Sequence, residues 1–104
     1  MASVDEITKR LQRNSDVIGL IILTYEGILI KSTLEKIQTD VYVANINQLM
    51  CLAREGIREI DANNDLKVLR LRTKTNEIVM VPEKDYTLVV VRDITNKDEK
   101  NVNK

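Results

Sequence analysis

Apolar residues near the start of the chain recur at the spacing of one helix face. Val4, Ile7 and Leu11 lie three to four positions apart, which places their side chains on the same side of an α-helix. Ser3, with a glutamate three positions further on, has the arrangement of a capping box. The pattern therefore predicts a first helix over residues 3–13, with its three apolar side chains against a sheet.

Five other segments are rich in β-branched residues and predict strands. VIGLIILTY (17–25) and GILIKST (27–33) flank a Glu-Gly turn, which indicates a hairpin. LKVLRLRTK (66–74), EIVMV (77–81) and YTLVVVRD (86–93) are joined by short polar turns and indicate a meander. Most of these runs do not alternate between apolar and polar residues. Both faces of the sheet therefore need cover.

Residues 40–61 predict a second helix, with Asp40 as its cap, and this helix is apolar on two opposite sides. The side expected to pack on the sheet carries Val43, Ile46, Leu49, Met50, Ala53, Ile57 and Ile60. The first half of the opposite side carries Val41, Ala44, Cys51 and Leu52 around Gln48, whereas its second half is polar. An outward apolar side of this size predicts a partner chain.

The order α-β-β-α-β-β-β predicts a mixed α/β (α+β) fold in a single domain over residues 1–94, followed by a polar, fraying tail at 95–104.

The composition limits the classes of partner that the protein is expected to bind. Sixteen basic and sixteen acidic residues balance, so no net charge favours nucleic acid or an anionic membrane. The longest uncharged run, 41–53, is shorter than a membrane span, and the N-terminus has no signal pattern. We expect a soluble cytosolic protein.

Candidate catalytic groups are few. The chain has no histidine and one cysteine, and Cys51 is interpreted as a small buried apolar residue rather than a nucleophile. DANND (61–65) has the first spacings of a calcium loop, but Arg72 stands where a bidentate glutamate is needed. An Asx-rich turn is the favoured interpretation. We expect no enzyme activity, no metal and no cofactor.

Three basic residues, Arg70, Arg72 and Lys74, share one face of the third predicted strand. They are interpreted as guards of a sheet edge against unwanted pairing, in preference to an anion-binding patch.

Several segments resemble the roadblock family of dynein light chains, along residues 4–93. They are VIGLIIL followed by EGILIKSTL, then LMCLAREGIREID, and EIDANNDL running into LRLRTKTNEIVMVPEKDYTLVVV. The resemblance implies a five-stranded antiparallel sheet between helices. It also implies a dimer in which the third strands pair edge to edge and the second helices pack together, so that one sheet extends across two chains.

The resemblance also implies a function and partners. The expected role is a non-catalytic light-chain subunit of dynein that binds the intermediate chain, in the cytoplasm and on the cytoskeleton or in an axoneme. The partner chain is a second copy or a roadblock paralogue, with no nucleic acid and no membrane insertion. The alternative is a roadblock-fold scaffold or regulator of a small GTPase.

Two sets of residues are predicted to make contacts with other chains. The dimer interface is expected at Val41, Ala44, Gln48, Cys51, Leu52, Leu66, Val68, Leu69, Arg70, Leu71 and Arg72. A segment of the intermediate chain is expected on the sheet face opposite the second helix, beside Val4, Ile7 and Leu11.

Overall fold

The computed structural model describes residues 4–95, and these form two helices and five strands. The elements are α1 (Val4–Gln12), β1 (Val17–Thr24), β2 (Leu29–Ser32), α2 (Lys36–Ile60), β3 (Leu69–Arg72), β4 (Asn76–Pro82) and β5 (Tyr86–Asp93). The predicted element order and the mixed α+β class are confirmed. Ser3 and all of the predicted tail except Thr95 lie outside the described residues.

The five strands form one antiparallel sheet in the order β2-β1-β5-β4-β3. β5 returns to the middle of the sheet and pairs with β1 on one side and β4 on the other. β1 and β5 are therefore central, which explains why their sequences are apolar on both faces. β2 and β3 are the two edge strands.

The two helices cover opposite faces of this sheet. α2 places Ile46 and Met50 against a core that includes Ile21 and Met80. On β2, successive side chains point to opposite faces. Ser32 meets Thr39 of α2 at 2.7 Å between hydroxyl oxygens, whereas Lys31 donates from Nζ to Asp5 of α1 at 2.9 Å. The sheet therefore lies between the helices.

The start of α2 differs from its predicted position. The helix begins at Lys36 with Glu35 at the N-cap, and Asp40 lies inside the first turns, paired with Lys36 at 3.1 Å. The extra turn is held by Thr39, which is buried and donates to the carbonyl of Leu34. The N-cap Glu35 makes no side-chain cap hydrogen bond, so this start has none of the usual capping signals in the sequence.

Two residues predicted for the core side of α2 are exposed instead. Ile60 is 87% exposed and Leu49 is 39% exposed. A helix of 25 residues is about 37 Å long, whereas an eight-residue strand is about 27 Å long. α2 is therefore longer than the strands it packs on, and Ile60, its last residue, is exposed.

The third strand is shorter than predicted. β3 spans Leu69–Arg72, and Leu66, expected to begin this strand, is 6% exposed and belongs to the core of the single chain. The backbone of Leu66 donates to the carboxylate of Asp65 at 2.8 Å. The segment thus turns inward to fill the core before it becomes a strand.

Candidate protein-interaction site

The outward side of α2 is a continuous row of exposed side chains. Its apolar members include Ile37, Val41 and Leu52, which are 79%, 58% and 66% exposed. We call this row the α2 outer stripe, and it consists of Ile37, Val41, Ala44, Gln48, Cys51 and Leu52, all exposed. The sequence indicated every member except Ile37, which precedes the predicted start of the helix. From Ile37 to Leu52 the stripe is about 22 Å long.

A small apolar pocket joins the stripe to the sheet. Its volume is about 180 Å³, and it is lined by Val41, Tyr42, Asn45, Ile46, Leu49, Ile78 and Met80. Leu49 is half-exposed because it forms a wall of this pocket rather than part of the closed core. Nearly all of the lining is carbon, so an apolar side chain from another molecule fits the pocket better than a polar ligand does.

β3 lies on the same side of the molecule and has one unpaired backbone edge. Within residues 4–95 it pairs with β4 alone. Leu69 and Leu71 point to α2 and are partly buried against the core. Arg70 and Arg72 alternate with them and are exposed on the opposite face. An open strand edge can accept a further strand through main-chain hydrogen bonds.

The structure thus places the predicted interface residues of α2 in one outward stripe and β3 at an edge of the sheet, with Arg70 and Arg72 on the face away from α2. Val68 is also exposed. Leu66 is the exception, because its side chain is buried in the chain's own core. The remaining interface assignments stay predictions.

Comparison with known proteins identifies the family to which this fold belongs. The family model described as Roadblock/LC7 domain matches residues 3–93. This chain belongs to the Roadblock/LC7 family.

Solved roadblock structures share the fold. A Roadblock/LC7 domain from Streptomyces avermitilis has a TM-score of 0.75 at 15% identity, covering 88% of this chain and 79% of that one. MglB from Myxococcus xanthus has a TM-score of 0.69 at 17% identity, with the same coverages. The gliding protein MglB from Thermus thermophilus has a TM-score of 0.72 at 9% identity, covering 91% and 78%. At these identities the likeness shows the fold.

The first helix of this roadblock domain packs on one face of the sheet. Val4, Ile7 and Leu11 are half-buried, and Thr8 is 3% exposed. The Thr8 hydroxyl donates to the carbonyl of Val4 at 2.8 Å, which satisfies the buried polar group. The sequence pattern missed Thr8, since threonine counts as polar. The three apolar residues are thus partly buried within the chain itself, and their contact with a partner stays a prediction.

The one cysteine of the roadblock domain is exposed, contrary to its predicted burial. Its Sγ donates to Oε1 of Glu55 at 3.5 Å. This hydrogen bond, and then the negative charge of Glu55, raises the pKa of the Cys51 thiol. A raised pKa lowers the fraction of nucleophilic thiolate, so the Glu55 contact does not activate Cys51 as a nucleophile.

The loop after α2 has the character of an Asx turn. Asp61 accepts a hydrogen bond from the backbone of Asn63 at 3.0 Å. The carboxylate of Asp65 faces Arg54 at 3.9 Å and Arg58 at 3.5 Å. The carboxylates of Asp61 and Asp65 therefore contact different groups. Among residues 4–95 no three acidic or thiol groups converge as a metal site, and neither helix has the length and apolarity to cross a bilayer.

Proposed function

We propose that this roadblock domain is a non-catalytic scaffold that works as a pair and holds a segment of a larger protein. The observation that carries the proposal is the α2 outer stripe beside the open edge of β3. Burial of a large aliphatic side chain contributes about 1.5–3 kcal/mol. Ile37, Val41 and Leu52 are together large enough to drive association.

The pairing partner is a second roadblock domain, either an identical copy or a paralogue. In a symmetric pair each stripe residue is buried twice, once on each chain. Pairing of the β3 edges would satisfy the unpaired backbone groups and join two five-stranded sheets into one. The pocket lined by Val41 and Leu49 would then receive an apolar side chain of the neighbouring α2.

Two classes of larger partner are in keeping with this scaffold. The comparisons favour a scaffold or regulator of a small GTPase, because the similar structures named above are bacterial roadblock proteins and none carries the name of a dynein subunit. The sequence favours the dynein intermediate chain, because EIVMVPEKDYTLVVV on β4 and β5 resembles the dynein light chains. On the second proposal the protein acts in the cytoplasm, on microtubule-based transport.

An affinity experiment distinguishes the two classes. The tagged chain is incubated with extract from its own cells, and the retained proteins are identified by mass spectrometry. Recovery of a dynein intermediate chain supports the motor subunit, and nucleotide-dependent recovery of a small GTPase supports the regulator. A Leu52→Asp variant serves as the matched control. If the wild type is a compact monomer at micromolar concentration and retains neither partner, the scaffold proposal is wrong.

A further inference from the structure

β2 forms the edge of the sheet opposite β3, and this edge is also open. Within residues 4–95, β2 pairs with β1 alone, so one of its backbone edges has no strand partner. Three consecutive aliphatic residues lie here, Ile28 just before the strand and Leu29 and Ile30 in it, and they are 64%, 43% and 47% exposed. An unpaired edge with exposed aliphatic side chains is a surface on which another strand can pair.

The features that protect a sheet edge from pairing are weak on β2. On β3, the charged side chains of Arg70 and Arg72 are exposed. The one charged residue of β2 is Lys31, and its Nζ donates to Asp5 of α1 at 2.9 Å. Bulges also discourage pairing, and β2 has one at Ile30, which has no partner on β1. This extra residue is aliphatic, so a further strand would cover an apolar side chain there.

A groove runs along the open edge of β2 to the start of α2. Its volume is about 530 Å³. We call it the β2 groove, and it is lined by all of β2 (Leu29–Ser32) together with Leu34, Lys36, Thr39 and Asp40. Successive side chains of a strand point to opposite faces of a sheet. Because every residue of β2 lines the groove, the groove follows the strand edge itself rather than one face of the sheet.

The polar side chains of the β2 groove already have partners within the chain. Lys36 and Asp40 form an ion pair at 3.1 Å, and the hydroxyl oxygens of Ser32 and Thr39 lie 2.7 Å apart. Lys31 is paired with α1, as described above. The unpaired backbone edge and the aliphatic surface beside it are what remains for a ligand. A charged ligand therefore gains little in this groove, whereas an uncharged extended chain gains hydrogen bonds and burial.

Two segments of the chain itself are unsuitable occupants of the β2 groove. A second copy that paired through β2 as well as through β3 would extend the sheet from pair to pair as an open series, because each added copy presents a further edge. Residues 96–104 are polar apart from Val102, so they lack the aliphatic side chains that the groove would bury. The occupant is therefore a different chain.

We propose that the β2 groove binds an extended, uncharged segment of a partner protein, with β-branched aliphatic residues at alternating positions, which adds to the sheet as a sixth strand. Main-chain hydrogen bonds satisfy the open edge, and every second side chain lies beside Leu29 and Leu34. The inference deepens the proposed scaffold function and rests on it for the pair. Because β2 and β3 are opposite edges, a pair joined through β3 has one β2 groove at each end of its sheet.

Short labelled peptides and the full chain test this site. One peptide of about eight residues, enough to span β2, alternates valine and threonine, and two others carry lysine or glutamate in place of valine. Fluorescence anisotropy measures affinity at low and physiological salt, and hydrogen exchange of backbone amides locates the contact. We expect the valine peptide to slow exchange in residues 28–34 and to bind at least about tenfold more tightly than either charged peptide. Its affinity should change less than about twofold with salt.

Methylation of the peptide backbone separates strand pairing from contact through side chains alone. In an extended strand the N–H groups of successive residues point to opposite edges. One form of the valine peptide is N-methylated at its valines and a second form at its threonines. One form should bind at least about tenfold more weakly than the parent peptide, and the other should stay within about twofold of it. Equal affinities of the two forms would overturn the added strand.

A pair of matched substitutions locates the site on the protein. Ile30→Lys places a charge at the open edge and should weaken the valine peptide at least about tenfold. Ile18→Lys is the control, because Ile18 is 51% exposed and also lies at a bulge, between β1 and β5, but outside the β2 groove. Its affinity should stay within about twofold of the wild type. Thermal melts establish that both variants are folded.

Failure of this inference is distinguishable from failure of the scaffold. A paired wild type in which no peptide slows exchange at β2 overturns the groove while the scaffold stands. Binding that Leu52→Asp abolishes and Ile30→Lys leaves unchanged moves the site to the α2 outer stripe and also overturns the inference. A wild type that assembles beyond a pair, and that Ile30→Lys returns to a pair, makes a second copy the occupant and overturns the partner strand. A monomeric wild type whose β2 the valine peptide protects overturns the scaffold alone and supports the groove.

Discussion

Arg92 lies between two carboxylates at one end of the sheet. Its Nη1 donates to Oε1 of Glu77 at 3.0 Å, and its Nη2 lies 3.7 Å from Oδ2 of Asp16. Its Nε is buried without an acceptor among residues 4–95. The backbone of Asp93 donates to the carbonyl of Asp16 at 2.8 Å. The cluster thus links the start of β1 to the start of β4 and the end of β5.

Glu77→Ala should destabilise the fold by about 1–3 kcal/mol, because it leaves a largely buried guanidinium with a more distant carboxylate alone. Urea unfolding of the variant measures the loss. Lys36→Ala is the control, since its pair with Asp40 is exposed on both sides and such pairs contribute about 0–1 kcal/mol. Equal effects of the two substitutions would contradict the importance of the Arg92 cluster.

A second residue-scale prediction concerns the thiol of Cys51. Glu55 raises its pKa, whereas the positive charge of Arg54 acts in the opposite direction. Glu55→Gln should therefore lower the pKa and speed alkylation by iodoacetamide at mildly alkaline pH, about twofold to fivefold. Arg54→Gln should slow it. Rates measured at a concentration below pairing test both signs, and a slower Glu55→Gln variant would contradict the role of Glu55.

At the scale of elements, sequence periodicity and turn residues were enough to predict all seven elements and the two apolar sides of α2. The errors come from side chains whose burial depends on packing between elements. Thr39 of α2 is buried and contacts Ser32 of β2, and Leu66 leaves the β3 segment to fill the core. Periodicity along one segment does not show either position. Thr8 was missed for a different reason, because threonine counts as polar although its hydroxyl is satisfied within α1 by the carbonyl of Val4.

At this scale, replacing either of two glycines by alanine is expected to change the stability of the domain, in opposite directions. Gly27, in the β1–β2 turn, has a φ of +92°, and a Cβ there would collide with the side-chain amide of Asn47. Gly27→Ala should cost about 1–2 kcal/mol. Gly56 is exposed on α2 and a Cβ there meets nothing within 4 Å.

Gly56→Ala should therefore stabilise the domain by about 0.5–1 kcal/mol, because alanine loses less backbone entropy in a helix. Thermal melts of the two variants beside the wild type compare them directly. Destabilisation by Gly56→Ala at a concentration where the chain is monomeric would contradict the exposed position of this residue.

At the scale of the whole molecule, the two helices cover the two faces of the sheet to different extents. α2 has 25 residues and α1 has nine, so one sheet face is closed and the other is partly open. The α2 outer stripe could be predicted, since helical periodicity alone separates its two sides. The strand residues on the partly open sheet face could not be predicted, because a shift of one residue in a strand moves every side chain to the other face. Only the observed register assigns Val79, Val81 and Leu88 to the open face.

Leu52 provides the test of pairing. Leu52 is 66% exposed at the end of the stripe, and burial in a symmetric pair would contribute about 1.5–3 kcal/mol per chain. Leu52→Asp adds two buried charges to such a seam and should shift the protein to monomer by at least about a hundredfold in dissociation constant. Sedimentation across a concentration series measures the shift.

Ile60→Asp is the matched control for this substitution. Ile60 is 87% exposed on the same helix but lies outside the stripe, so the variant should pair as the wild type does. Cys51 supplies an independent measure, because it is a neighbour of Leu52 in the stripe. Its alkylation in the wild type should slow as the protein concentration rises through pairing, and this dependence should vanish in Leu52→Asp. Alkylation that is independent of concentration in a dimeric wild type would move the seam away from α2 and leave the β3 edge as the contact.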